Sequence, residues 1–563
     1  MSDYDVAIIG SGFGGSVAAL RLTEKGYRVL VIEAGRRFAD DEFAKTSWNL
    51  SRFLFFPRLG LRGIQRIDLL SNVMVMSGAG VGGGSLVYAN TLYRPPVSFF
   101  KTGSWVGVCD WQKELEPYYS LAEKMLGVEV NPFDSNSDRA LRKVANRMGF
   151  GETYRPTPVG IYFGAKKKLE PGTTTSDPYF GGVGPERTSC INCGECMTGC
   201  RHGAKNTLVK NYLWLAERAG AKVLAETTVT NIGRVDSAAG AFKLEMRTSW
   251  ASGITKKRSI TADQVIVAAG ALGTAKLLQR VRAAGNLQGL SPMLGSFSRT
   301  NSESLLGVVA RYDDIDYSEG SAITSSVWPR PDTHIEPVRY GHGSGFMGFL
   351  QSIMASTPDG KPPTPARWLT TGLCNLGKLP KFYNLRQWPK RTLILLVMQS
   401  RDNSLVTSLK RGIFGSRLVS KQGTGEPNPH WVELGHKVAR ELETEIDGTA
   451  GAVTTEAFGI PMTAHFLGGC VIGASSAEGV VDGYLRAYGE PGLHIFDGST
   501  LSANPGVNPS LSITAQAEWA AAHWPNLGDK DARPKLGAKF KVVPPTEARS
   551  SVVKKFGPAR AKR

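Results

Sequence analysis

The sequence predicts an α/β protein in which a Rossmann-like dinucleotide-binding domain is interleaved with an α+β domain built on an antiparallel sheet. Three observations predict it. The apolar run Val6 to Ile9 passes into Gly10-Ser11-Gly12-Phe13-Gly14-Gly15 and then into residues 16–22, of helical composition. Apolar, strand-length segments return far along the chain, at 222–230 and 264–271, and the chain closes on glycine-rich motifs at 465–524. Between those returns, residues 305–311 and 392–399 show strand patterns.

The amino-terminal element carries its full context. Gly10 permits the tight turn after the strand, Gly12 lets backbone approach a pyrophosphate, and Gly15 lets the helix pack close to the strand. The helix start offers unpaired N–H groups and a positive dipole end to phosphate. Glu33 ends a second apolar run, 27–32, at the place where a carboxylate holds ribose hydroxyls.

A second glycine-rich stretch, residues 78–87 with Gly83, Gly84 and Ser85, points to FAD rather than NAD. Such glycine density suits backbone lying against a flat ligand, and an extended FAD needs contacts far beyond its pyrophosphate. Residues 264–271, ending in Ala269-Gly270-Ala271, read as a core strand able to close over that cofactor.

The 563 residues allow more than one domain, and no run reaches the roughly 20 apolar residues of a membrane span. The divisions read as 1–96, 189–299 and 449–526 for the FAD-binding parts and 97–188 for a helical, loop-rich excursion containing an amphipathic helix at 111–126. Residues 300–448 form the substrate domain, with a Pro- and Gly-containing stretch at 356–390 that reads as a lid or a surface insertion. The net charge of +18 concentrates in 527–563, a basic segment expected to be disordered and able to hold the protein peripherally at an anionic membrane; no specific nucleic-acid partner is expected. No positively charged start with an apolar run precedes the first strand, so no signal peptide is expected and the reading is cytoplasmic or peripheral membrane.

Cys190, Cys193, Cys196 and Cys200 follow the spacing C-x2-C-x2-C-x3-C, the run of bacterial ferredoxins, although Arg201 replaces the usual proline and no second run exists. An iron–sulfur cluster, zinc, disulfides and packed thiols all remain open. Cys109, Cys374 and Cys470 are scattered and read as small buried hydrophobes.

Near the end, Ala464-His465-Phe466-Leu467-Gly468-Gly469 precedes Asp497-Gly498-Ser499 and Asn508-Pro509-Ser510. With Gly80 to Val87 and the downstream Pro95, Pro96 and Phe99, these segments resemble the glucose-methanol-choline oxidoreductases over residues 4–524. Within that family the chain is most similar to the bacterial cholesterol oxidases, the mycobacterial type above all. The resemblance implies FAD-dependent oxidation of an alcohol. His465 would hold and deprotonate the hydroxyl, a task suited to an imidazole. Asn508 would orient substrate and polarise the reduced flavin, and Asp497 would bind the ribityl chain or ring edge. Asn90, Val229, Ala269, Gly270, Gly498, Pro509 and Ser510 complete the implied cofactor contacts. Glu336, in Ile335-Glu336-Pro337-Val338, resembles the glutamate that moves a proton between steroid carbons; an apolar pocket would raise its pKa. Tyr88 departs from the small polar residue of the secreted enzymes. Three functions are implied: oxidation of a sterol 3β-hydroxyl with double-bond isomerisation, an iron–sulfur flavin dehydrogenase for another lipid or small alcohol that feeds a carrier rather than oxygen, and a membrane-recruited flavin redox or lipid-binding module.

Overall fold

A computed structural model describes residues 2–164, 170–235, 240–250, 258–355, 362–412 and 415–553. Residues 356–361 of the expected lid or insertion, and the last ten residues with Lys554, Lys555, Arg560, Lys562 and Arg563, lie outside the described residues.

The first sheet begins with β1 (Tyr4–Ile9) and β2 (Val29–Ile32), then gains β3 (Lys222–Leu224), β4 (Thr227–Arg234), β5 (Phe242–Thr248) and β6 (Arg258–Val267). Its order is β3-β2-β1-β6-β5-β4, and the late strand Leu493–Ile495 pairs with β6. The pairs β3–β2, β2–β1, β1–β6 and β6 with the late strand are parallel; β4 and β5 close the edge antiparallel. Val6, Ala7 and Ile8 are buried on both faces of the sheet, which is why β1 reads as a continuous apolar run and not an alternating one.

The second sheet is built from β7 (Ser304–Ala310), β8 (Ser325–Arg330), β9 (Thr333–Val338), β10 (Gln351–Ile353), β11 (Thr392–Gln399) and β12 (Gly448–Val453). Its order is β10-β12-β7-β11-β9-β8, with the short strand Arg155–Pro156 added outside β8, and every pairing in it is antiparallel. The period of two sorts β11 cleanly. Leu393, Leu395 and Val397 enter the core with Val438, Ala439 and Leu442 of the helix Glu433–Glu445, while Ile394 and Leu396 face a large cavity. The same alternation on β9 sends Ile335 into the helix-side core and Val338 to the cavity.

The helix Trp111–Leu126 forms where its pattern predicts it. Asp110 caps its start by accepting from the Lys113 amide at 3.2 Å, and Gly127, at φ 60°, ends it. The stretch after β10 forms the short exposed helix Pro365–Cys374, in which no residue is buried.

The expected disorder of the basic segment does not hold for residues 527–553, which lie packed across the first and last helices, Phe13–Glu24 and Ser510–Ala522. Phe540 packs on Tyr484, whose hydroxyl donates to the Lys541 carbonyl at 2.6 Å. The buried Lys25 ammonium donates to carbonyls of Ala522, Trp524 and Thr546. Cations that composition assigned to a solvated tail are paired locally: Arg533 with Asp531 at 2.8 Å and Arg549 with Asp529 at 2.5 Å.

The two chain ends are locked by a buried ion pair. Arg21 of the first helix donates twice to Glu518 of the last, each at 2.8 Å, and once to Glu24 at 2.8 Å; the Tyr212 hydroxyl donates to Glu518 at 2.7 Å. Removing one partner strands the other charge in the core. Glu518→Ala is therefore expected to cost about 3 kcal/mol or more and to lower the thermal unfolding midpoint, whereas the triple change Arg21→Met/Glu24→Gln/Glu518→Met, which leaves none of the three charges behind, recovers most of the loss. Calorimetry checks both.

Candidate functional site

One cavity of about 340 Å³ lies between the two sheets. On one side it is bounded by Gly12, Phe13, Gly14, Gly84, Ala269 and Gly270, with Asp497, Gly498, Asn508, Pro509 and Ser510. On the other it is apolar, with Leu305, Val338, Met347, Trp388, Ile394 and Leu396. His465 and Glu303 border it as well.

The glycine loop fits a flat, extended ligand. Gly10 sits at φ 103°, and a Cβ there would stand 2.2 Å from the Ala268 carbonyl oxygen; one on Gly14 would meet the Phe496 oxygen at 1.9 Å, and one on Gly15 the Gly10 oxygen at 2.2 Å. A Cβ on Gly12 would meet no atom within 4 Å, leaving its backbone open for close approach by a ligand. Gly83 and Ser85 stand behind this surface. A Cβ on Gly83 would meet the Gly12 Cα at 2.7 Å, and the Ser85 hydroxyl donates to Gly82 and accepts from the Leu208 amide at 3.0 Å. Much of the second glycine stretch therefore packs backbone on backbone, with Gly78 and Gly84 reaching the cavity.

Glu33 is buried and accepts from the Ser11 amide at 3.0 Å, the Ser11 hydroxyl at 2.7 Å and the Gly35 amide at 2.8 Å. Burial raises its pKa, and these donors oppose the rise. Asp497, also raised by burial, accepts from the Ser499 amide at 2.8 Å and from the Thr274 hydroxyl at 2.5 Å while bordering the cavity. Val229 is buried in β4, opposite Met246 of β5, and does not border the cavity. Asn90 is fully buried at φ 69° and also stands off the cavity, with its side chain toward the Cys196 thiol.

His465 and Asn508 both reach the cavity, and each has a buried carboxylate behind it. Asn508 Nδ2 donates to Glu336 Oε2 at 3.2 Å; Asn508 Oδ1 and Glu336 Oε1 have no hydrogen-bond partner among the described residues. Glu336 does not itself border the cavity, but β9 alternation puts it on the cavity side. Burial, against the opposing hydrogen bond from Asn508, pushes its pKa up to about 8.

Glu303, which the sequence reading did not single out, stands directly beside His465. It is 1% exposed, and its Oε1 lies 3.1 Å from His465 Nδ1. That approach is a close ion-pair contact off the hydrogen-bond line, and neither atom has a hydrogen-bond partner among the described residues. Oε2 accepts from the Ala464 amide at 2.9 Å and from the Thr463 hydroxyl, so the carboxylate is held from two sides. A carboxylate opposite Nδ1 keeps a proton on that nitrogen and leaves Nε2 as the free base. Its only sequence signal is an acid inside the polar run Asn301-Ser302-Glu303-Ser304 that enters a core strand.

The four cysteines of the run converge. Cys190, Cys193, Cys196 and Cys200 border a separate cavity of about 20 Å³ with Glu195, His202 and Lys205. The ligand atoms of Cys193, Glu195 and His202 lie within 4.8 Å of one another. Lys205, fully buried, donates to the carbonyls of Leu86 at 2.9 Å, Tyr88 at 2.9 Å and Cys196 at 2.7 Å, tying this loop to the second glycine stretch. All seven cysteines are free thiols, and Cys374 is exposed rather than buried as its residue type suggested.

Glu303→Gln tests the positioning of His465. It is expected to lower kcat for alcohol oxidation about 10- to 100-fold with KM little changed and to move the acidic limb of the kcat profile. A merely structural role would lower thermal stability and leave that limb in place.

GMC oxidoreductase family models match residues 183–288 and 417–517, and a Rossmann-like NAD(P)-binding domain model matches 8–40. The chain is 54% identical to a cholesterol oxidase of Mycobacterium tuberculosis, over 98% of this chain and 96% of that one. It is 42% identical to a cholesterol oxidase of Acinetobacter baumannii, over 93% and 94%. Among solved structures, pyridoxine 4-oxidase from Mesorbium loti superposes with a TM-score of 0.56 at 18% identity, covering 92% of this chain and 98% of that one, a likeness of fold. With a Rossmann-type glycine loop, an antiparallel substrate sheet and full-length relatives at this identity, the chain belongs to the GMC oxidoreductase family.

Proposed function

We propose that this chain is an FAD-dependent oxidase of the 3β-hydroxyl of cholesterol or a related sterol, with oxygen as the final acceptor. The observation that carries it is the two-sided cavity, with glycine and small-residue backbone on one wall and aliphatic side chains on the other, in a chain 54% identical to a cholesterol oxidase. FAD, when bound, supplies the hydride acceptor. The glycine loop, Ala269, Gly270 and the 497–498 and 508–510 segments would hold it. His465 Nε2 takes the hydroxyl proton, with Nδ1 facing Glu303. Asn508 presents the unpaired Oδ1 to the same space, held from behind by Glu336. The apolar wall excludes water and accepts the ring system.

Glu336 is assigned the isomerisation step, taking the C4 proton of the 5-en-3-one and returning it at C6. Its raised pKa fits a group that must both accept and release a proton. Because the folded-state value is raised, the protonated form persists up to about pH 8, and the stability this confers is lost as pH rises through that value. The carboxylate base accordingly becomes available as pH rises toward and past about 8.

Anaerobic addition of cholesterol should bleach the flavin, and aerobic turnover should yield peroxide; no bleaching by any 3β-hydroxysterol sinks the reading. Supplied with cholest-5-en-3-one, the parent should isomerise it faster as pH rises through about 8. Glu336→Gln should lose isomerisation by about 100-fold or more while oxidation falls less than about tenfold. The reverse pattern would make Glu336 a positioning residue for Asn508.

The cysteine loop supports a second reading, an iron–sulfur centre. Cys190, Cys193, Cys196 and Cys200 border one cavity, with space for about one water, beside a buried ammonium that also touches the glycine stretch, and thiols are the donors a soft metal centre takes. Anaerobically purified protein should contain stoichiometric iron and acid-labile sulfide, both lost in Cys193→Ser. Flavin with neither would leave the thiols a packing role.

A further inference from the structure

β9 turns two buried polar side chains to its cavity side. Glu336 is one; His334, two residues upstream on the same face, is the other and is 1% exposed. The imidazole is fixed by its neighbours. Trp328 of β8 stacks on it at 4.1 Å with the ring planes 14° apart, and Tyr93 meets it edge-on at 5.1 Å. Tyr93 pairs in turn with the Ser326 hydroxyl at 2.6 Å.

Three buried polar atoms in this corner have no hydrogen-bond partner among the described residues: His334 Nδ1, His334 Nε2 and Glu336 Oε1. Two of them face each other. His334 Nε2 stands 3.9 Å from Glu336 Oε1, about 1 Å beyond a hydrogen bond. Catalytic hydrogen bonds in an unloaded site are often long and tighten when substrate seats. Glu336 Oε2 is already engaged by Asn508 at 3.2 Å, so Oε1 is the oxygen left to carry a proton.

Charge decides what the pair can be. Burial keeps His334 neutral, its pKa pushed down to about 3, and Glu336 stays protonated up to about pH 8, so the two do not form an ion pair at neutral pH. A neutral imidazole offers one N–H and one lone pair. The Gly506 carbonyl lies toward the ring and favours the N–H, which leaves the lone pair for Glu336. A lone pair in that place serves the protonated carboxyl and gives nothing to the carboxylate.

We propose that His334 is a positioning residue for the isomerisation step, its Nε2 accepting from the Oε1–H of Glu336 while that group holds the steroid proton. The assignment rests on the isomerase reading of Glu336 above. In that step Glu336 takes the proton at C4 as the C–H electron pair moves into a dienolate. The proton then leaves Glu336 for C6 as that pair returns, and the double bond shifts from C5–C6 to C4–C5. Between the two transfers the acceptor at Nε2 keeps the proton on Oε1.

The test follows formation of the conjugated enone from cholest-5-en-3-one by FAD-loaded protein. The titratable groups that bear on Glu336 are His334 on its own strand, Glu303, whose charge raises its pKa, and Tyr93, which feels its charge. His334→Phe keeps a ring against Trp328 and removes the acceptor. It should lower kcat for isomerisation about tenfold with KM within about twofold. Because the lost hydrogen bond favoured the protonated form, the limb near pH 8 should move down by about half to one pH unit. His334→Gln, with an acceptor at similar reach, should restore both. Should His334→Phe fail to load FAD, His334→Met fills the space without a comparable acceptor and is read in the same way. A packing role alone would lower the unfolding midpoint and leave the limb in place. An unmoved limb in the FAD-loaded variant, with isomerisation lost in Glu336→Gln, would overturn the assignment and leave the isomerase reading standing. Isomerisation that survives Glu336→Gln would overturn that reading and the assignment with it.

Discussion

The site exists because three stretches of backbone, far apart in sequence, meet with no room for a side chain between them. Gly10 lies against Ala268, Gly14 against Phe496, and Gly15 against Gly10, at separations that a Cβ would shorten to 2.2, 1.9 and 2.2 Å from carbonyl oxygens. Close packing of this kind tolerates no added methylene without backbone movement. It brings the turn after β6 and the segment after Leu493–Ile495 to the amino end of the first helix. Residues 497–498 and 269–270 then share a cavity with residues 12–14. The histidine segment is pinned to that same closure. The Gly468 amide donates to Gly498 at 2.9 Å, and Leu467 and Arg299 exchange backbone hydrogen bonds at 2.7 and 2.9 Å. Arg299 lies just upstream of Glu303, so the pairing that holds His465 in place also brings up its carboxylate partner.

The legible parts of the molecule are those whose physics is local. A strand buried on both faces must be continuously apolar, a tight turn under a pyrophosphate needs glycine, and a helix with one wet face shows its period; 4–33, 111–126 and 392–399 could be read for these reasons. Glu303 was hidden because its partner is supplied by another element, and a carboxylate in a polar run looks solvated until the fold buries it. The basic segment misled for the opposite reason. Counting charge and proline predicts a solvated chain, yet Phe540, Val543 and Val552 pack on the core, and Asp529 and Asp531 offset the cations nearest them. Val229 and Asn90 stand off the cavity, one in an edge hairpin whose first amide donates to the Glu33 carbonyl, the other beside Cys196.

Two buried glutamates stand on the cavity side in unlike surroundings. Glu303 accepts from an amide and a hydroxyl and lies in ion-pair range of the imidazole. Glu336 has a single amide donor and is otherwise enclosed by protein, and the charge of Glu303 pushes its pKa in the same direction as burial does. The surroundings of Glu336 are set by register. His334 and Glu336 share a side of β9 with the cavity-lining Val338, and a slip of one residue would drive the carboxylate into the helix-side core with Ile335. There it would face Val438 and Leu442 with no amide to meet it, at the full desolvation cost of an unpaired buried acid. Glu336 is thus tolerated on one face alone, and that face is the one where Asn508, arriving from the opposite domain, can satisfy it.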